Sequence, residues 1–161
     1  MKTNAARILD SMGIKYELLA YEVDESDLSA MAVAEKLKQN IEQVFKTLVL
    51  QGDKTGIFVC IIPGAEELDL KKAAQQSGNK SAVMVPVKDI LSLTGYIRGG
   101  CSPIGMKKLY LSFIDESCIL YENIFVSAGL RGLQLKINPN DLIRAVSCKI
   151  GDLIQITGNT K

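Results

Sequence analysis

Lys46 stands inside an otherwise apolar run, Val44-Phe45-Lys46-Thr47-Leu48-Val49-Leu50. In an extended chain the side chains alternate, so Lys46 shares a face with Val44, Leu48 and Leu50 while Phe45, Thr47 and Val49 take the other. An ammonium in such a strand needs an outlet to water or an anionic partner, because an unpaired buried charge is strongly unfavourable. Two roles fit: a lysine that snorkels from a strand end, or an ammonium at the mouth of a pocket that receives a phosphate or carboxylate.

A second feature is Arg98-Gly99-Gly100-Cys101-Ser102-Pro103-Ile104-Gly105, whose glycines allow main-chain N–H groups to crowd around a ligand oxygen. The same composition also serves a plain connecting turn, and the loop has neither the dinucleotide-binding nor the P-loop spacing. A third, Ser127-Ala128-Gly129-Leu130-Arg131-Gly132, brings a hydroxyl and a guanidinium to what reads as a hairpin turn, and arginine can grip phosphate through two parallel hydrogen bonds. Asp141 falls in the first turn of a helix opened by Pro139, where a carboxylate favours the helix dipole in any case.

The chain has no histidine. That removes imidazole bases, Ser-His and Cys-His nucleophile pairs and histidine-dependent zinc sites. Cys101 therefore has no imidazole to activate it, and an ordinary thiol is only slightly ionised at neutral pH. The four cysteines form no C-x-x-C pair and read as free thiols of a reducing compartment. No metal and no cofactor is expected. The 161 residues carry 19 Lys plus Arg against 18 Asp plus Glu, so no strong overall field draws the molecule to nucleic acid or lipid, and any such contact is a local patch. The N-terminus lacks a signal-peptide core and no apolar run reaches membrane-spanning length, so a soluble, cytoplasmic protein is expected.

These residues must be positioned by a chain read as one domain over 1–161, without repeats or linkers. Helical spacing covers 3–12, 29–39 and 66–77, and a short helix at 87–93 follows Pro86. Strands are predicted at 14–21, 44–50, 56–62, 81–85, 108–114, 118–127 and 133–137, with Gly52-Asp53-Lys54-Thr55 as a hairpin turn. The interspersed pattern predicts an α/β (mixed α+β) fold with a mostly antiparallel sheet surrounded by helices.

Three blocks, Val44-Phe45-Lys46-Thr47-Leu48, Thr94-Gly95-Tyr96 with Gly99 to Gly105, and Val126-Ser127-Ala128-Gly129 with Arg131-Gly132, together resemble the YbaK/EbsC family in order and spacing. These are freestanding relatives of the editing domain inserted in bacterial prolyl-tRNA synthetases. The resemblance implies a sheet closing toward a barrel and an aminoacyl-tRNA deacylase, most typically one that clears cysteine from proline tRNA. It implies that Lys46 holds the terminal phosphate region of the tRNA. The loop residues Gly99, Gly100, Cys101, Ser102 and Gly105 join Lys46 as the expected catalytic set. Tyr21, Phe45, Thr47, Pro103, Ser127, Gly129, Arg131 and Asp141 form the expected substrate-binding set. The partners implied are the aminoacyl-tRNA 3′ end and prolyl-tRNA synthetase, with no membrane. Many relatives carry histidines in the segment matching 19–24 and an aromatic-glycine pair where this chain has Ser29-Ala30.

In such relatives the cysteinyl thiol is thought to attack its own ester, so no catalytic side chain is required. Water oriented by Asp141 or by the terminal ribose hydroxyl is the alternative, with clearance of another small amino acid. A phosphate-binding module without turnover, or an accessory subunit docking on a synthetase, are the non-enzymatic alternatives.

Overall fold

The structure is a computed structural model and describes residues 2–156. Its α-helices are α1 (Asn4–Ser11), α2 (Ala30–Leu37), α3 (Leu70–Ser77), α4 (Val87–Thr94) and α5 (Pro139–Val146). Short polar side chains set most of the starts: Thr3, Ser29, Asp69 and Asn138 accept hydrogen bonds from N–H groups of the first turns of α1, α2, α3 and α5. Gly78 and Gly95 end α3 and α4 in the left-handed conformation. The helix predicted at 66–77 begins only at Leu70, because Asp69 caps it and the preceding Leu68 bridges to Ile154.

The strands are β1 (Glu17–Ala20), β2 (Phe45–Gly52), β3 (Gly56–Pro63), β4 (Ala82–Met84), β5 (Leu111–Asp115), β6 (Ile124–Leu130), β7 (Leu133–Ile137) and β8 (Lys149–Gly151). The first is shorter than its alternation suggests: the Ile14 N–H donates to Leu9 O and stays with the end of α1. The strand predicted from Cys118 starts only at Ile124, because the Asp115 carboxylate accepts from the N–H and hydroxyl of Ser117 and folds Glu116–Leu120 into a 3-10 helix. The short β8 has no counterpart in the predicted strands.

The eight strands form two sheets, in the orders β1-β7-β6 and β4-β2-β3-β5-β8. Most pairs are antiparallel, whereas β3–β5 and β5–β8 are parallel. The mixed fold is as expected, but the closure toward a barrel is not. Between the sheets runs only an isolated parallel bridge, Val44 to Phe125, and no continuous ladder joins them. Hydrophobic packing between the sheets takes the place of closure. Val59 and Ile61 of β3 pack with Val126, Leu135, Ile137 and the α5 residues Leu142 and Val146. The opposite face of the larger sheet, with Leu50, Phe58, Cys60 and Ile62, buries itself under Ala73 and Ala74 of α3. A third cluster seats Val33 and Ala34 of α2 on Val44 and Phe125. Among the described residues no helix is long and apolar enough to cross a membrane.

Candidate functional site

β3 pairs along the whole length of β2, from Phe45 to Gly52, whereas β4 covers the other edge only from Leu50 onward. The opening half of that second edge is left without a strand partner. A cavity of about 290 Å³ occupies it, walled by Val44–Leu48, by the start of α2, by Arg98, Gly99 and Cys101, and by Ser127 and Gln134. Because the cavity wraps a strand edge, side chains from both faces of β2 reach it, so Phe45, Lys46 and Thr47 all line it despite their alternation.

α2 comes this close because residue 64 is glycine. A Cβ there would sit 2.0 Å from the Ala30 Cβ and 3.1 Å from the Val44 carbonyl oxygen. On the far wall, β6 and β7 pair Ser127 with Gln134, but Leu130 with Leu133, so a β-bulge lies between. An undistorted two-residue hairpin would set Ser127 opposite Lys136. The bulge re-aims the strand and leaves the Ser127 hydroxyl accepting from the Gly129 N–H at 3.1 Å, with its own proton available to a ligand.

The glycine loop is anchored at both ends. Thr94 Oγ1 accepts from the Tyr96 N–H, and the Tyr96 hydroxyl donates to Ile104 O. Burial pushes the Tyr96 phenol up to about 12, so it remains a donor. The Gly100 N–H is spent on Ile97 O. Among the described residues the N–H groups of Gly99 and Cys101 have no protein acceptor. Both residues line the cavity. Burial raises the Cys101 thiol to about 11, with the Thr94 hydroxyl pulling weakly the other way. At neutral pH it stays protonated and is a poor nucleophile.

Lys46 and Arg98 are the charged residues of the lining, and no carboxylate joins them. Neither forms an ion pair among the described residues. Among the described residues two polar atoms are buried without a hydrogen-bond partner, Thr47 Oγ1 and Gln134 Oε1, and both belong to residues of this cavity. Orphaned buried polar atoms are rare and disfavoured, and these two sit on residues that border the same cavity.

The residues singled out in the sequence thus divide. Lys46, Phe45, Thr47, Gly99, Cys101 and Ser127 meet in the cavity. Gly100 packs behind the wall, where a Cβ would meet the Leu130 and Arg131 backbone. Ser102 is fully buried and its hydroxyl accepts from the Ile104 N–H. Pro103 and Gly105 line a separate cleft beside Ile8 and Tyr110. Tyr21 lines a narrow neighbouring crevice that shares Leu28 and Val33 with the main cavity. Gly129 carries the Tyr96 ring, 3.0 Å from where its Cβ would be. Arg131 Nη1 is bound to Glu25 at 2.6 Å and its Nε to Arg98 O at 2.8 Å. Asp141 lies in another cleft, with Lys2, Asp10 and Tyr16, and pairs with Arg144 on its own helix.

Sequence reasoning missed Gln134 and Gly64. Gln134 falls in Leu133-Gln134-Leu135-Lys136-Ile137, an alternation that reads as a strand with one wet face. It is 5% exposed, because β7 is the central strand of its sheet, with Leu19 and Ser127 as neighbours.

Residues 25–145 match the family of aminoacyl-tRNA editing domains. The chain belongs to that family. Of the editing-domain proteins it resembles, the Enterococcus faecalis protein named "Putative Cys-tRNA(Pro)/Cys-tRNA(Cys) deacylase EbsC" is 44% identical over 152 residues, 94% of this chain and 93% of that one. YwhH of Bacillus subtilis is 24% identical over 121 residues, 75% of this chain and 76% of its own. Among solved structures, "a putative trans-editing enzyme for prolyl tRNA synthetase" superposes with a TM-score of 0.81 at 23% identity, covering 97% of this chain and all of that one (100%). The protein APE2540 gives 0.84 at 19% identity, covering 92% and 97%. These two share the fold. The resemblance to the YbaK/EbsC family drawn from three short blocks therefore holds over nearly the whole chain, and the protein is an aminoacyl-tRNA editing domain.

Proposed function

We propose that the protein clears cysteine from mischarged Cys-tRNA(Pro) in trans, the substrate's own thiol performing the attack. The observation that supports this reading most is a cavity with two cations and two bare N–H donors but no residue suited to act as a base. Its lining holds neither carboxylate nor imidazole, and its one thiol is held protonated. At about 290 Å³ it is at the small end of ligand sites and suits a short aminoacyl group.

In the proposed reaction the cysteinyl sulfur bonds to its ester carbonyl carbon, and the oxygen gains negative charge facing the Gly99 and Cys101 N–H groups. One such donor contributes about 3 kcal/mol to a developing oxyanion. The carbon–oxygen bond to the ribose then breaks, the ribose oxygen takes up a proton, and a cyclic thioester departs from the tRNA. The thiol gives its proton to solvent, so the enzyme needs no base. Holding sulfur and carbonyl in line draws on proximity, worth up to about 7–11 kcal/mol in the best intramolecular cases. Lys46 holds the phosphate end, and Thr47 and Gln134 accept from the substrate's amino group.

With a net charge of +1 the domain offers little long-range attraction to tRNA. Association with prolyl-tRNA synthetase in the cytoplasm would supply the remaining contacts. The test is a deacylation panel of Cys-, Ala-, Ser- and Pro-tRNA(Pro) with Cys-tRNA(Cys). Cysteine esters should be cleaved and serine esters spared. Equal cleavage of serine or alanine esters would replace the thiol route with water, and Asp141→Ala with full activity would then remove the carboxylate version of that route.

A further inference from the structure

Of the four arginines, Arg131 was the natural phosphate ligand by sequence, yet it is engaged elsewhere. Its ion pair with Glu25 and its hydrogen bond to the Arg98 carbonyl turn it into a clamp on the backbone of residue 98. Gly99 completes the clamp: at φ +83° it has no Cβ to meet Arg131 Nε and Leu28 Cδ1, each 3.2 Å away. Two further acids of the adjoining 22–29 loop are engaged locally. Asp24 accepts from the Ser26 N–H and hydroxyl, and Asp27 from the Ser29 N–H. The result is an exposed guanidinium whose backbone is held at the cavity wall, without a carboxylate partner among the described residues, across from the Lys46 strand.

We propose that Arg98 is a substrate-binding contact that grips a backbone phosphate of the tRNA acceptor end at the cavity mouth, with Arg131 as its positioning residue. The inference rests on the aminoacyl-tRNA reading and adds a residue to it. A guanidinium suits the task because it presents paired N–H donors to two phosphate oxygens, whereas the Lys46 ammonium acts as a point charge. On a protein with nearly balanced charge, two cations around one cavity that no carboxylate lines give a polyanion a local foothold there.

The test is salt-dependent binding of a deacylated RNA hairpin ending in CCA, which needs no turnover. Neutralising one phosphate of a single strand contributes about 0.7 to the slope of log K against log salt. Arg98→Ala should lower the wild-type slope by about that amount and weaken binding, and Arg98→Lys should restore the slope but not the full affinity. The side chain makes no contact the fold depends on, since only the residue's carbonyl is used, so thermal stability should hold. Equal slopes for wild type and Arg98→Ala, or no hairpin binding by wild type, would overturn the proposal. The deacylation panel judges the wider reading separately: cleavage by wild type with an unaffected Arg98→Ala would leave the enzyme and remove the arginine.

Discussion

Lys46→Met separates what the ammonium does for the reaction from what its stem does for the strand. Methionine keeps most of the length and apolar volume and removes the charge. Lys46 is half-buried and has no carboxylate partner among the described residues, so its partial desolvation is not offset by an ion pair there. Removing the charge should leave thermal stability unchanged or raise it by a few degrees. A hydrogen bond to a charged group contributes about 1.5–3 kcal/mol, so losing the phosphate contact should lower kcat/KM for aminoacyl-tRNA by roughly 10- to 150-fold, at about 1.4 kcal/mol per decade. The assay is single-turnover release of labelled amino acid, run beside thermal melts. Most of the loss should vanish at high salt, where the wild-type contact is itself screened. A change under about 3-fold would put Lys46 outside the site. A comparable loss of stability would show that the lysine serves the strand.

Gln134→Met removes an orphaned buried acceptor while conserving volume. Since an unsatisfied buried polar group costs about 1–3 kcal/mol, denaturant midpoints should rise as KM for aminoacyl-tRNA rises, and a fall in stability would show that Gln134 has a structural partner. Gly64→Ala drives a methyl into Ala30 and should destabilise by about 1–3 kcal/mol while closing the cavity, read as a lower melting temperature with lost activity. Alkaline conditions should weaken the fold. Burial raises Cys60 and Cys148 to about 12 and Cys101 and Cys118 to about 11, against an ordinary value of 9.0. Between those values the unfolded chain releases thiol protons that the folded one keeps, so stability is full below pH 9 and falls as pH rises toward 11 to 12. Urea midpoints that stay flat from pH 8.5 to 10.5 would contradict this.

Elements with strong local signals were legible in the sequence. The hairpin of β2 and β3 turns where Gly52 pairs with Gly56, as its turn residues suggest, and β7 spans Leu133–Ile137 as read from its alternation. Boundaries moved where a side chain competed with the backbone, as Asp115 does at the 3-10 turn. Lys46, the Gly99 region and Ser127 were legible because a cation in an apolar strand and clustered glycines are locally odd. Gln134 was not, since its burial depends on strand order and the bulge. The ion pair of Arg131 was not legible for a similar reason: Glu25 lies far away in sequence, and only the fold brings it within 2.6 Å.

The residues that conflict most with stability lie together. An ammonium without a carboxylate, a guanidinium without one, two orphaned acceptors and half a strand edge without a partner all border one cavity. Each is a local fault by the rules of folding, and faults that cluster at one place point to function. A bound aminoacyl end would relieve them at once: phosphate for the cations, ammonium for the acceptors, a carbonyl oxygen for the bare N–H groups. That is why Lys46→Met and Gln134→Met are expected to lower activity without lowering stability. The same logic bears on the absent base. A carboxylate in this cavity would neutralise its two cations, so under the proposed reading, in which positive charge holds the tRNA end, the nucleophile arrives with the substrate.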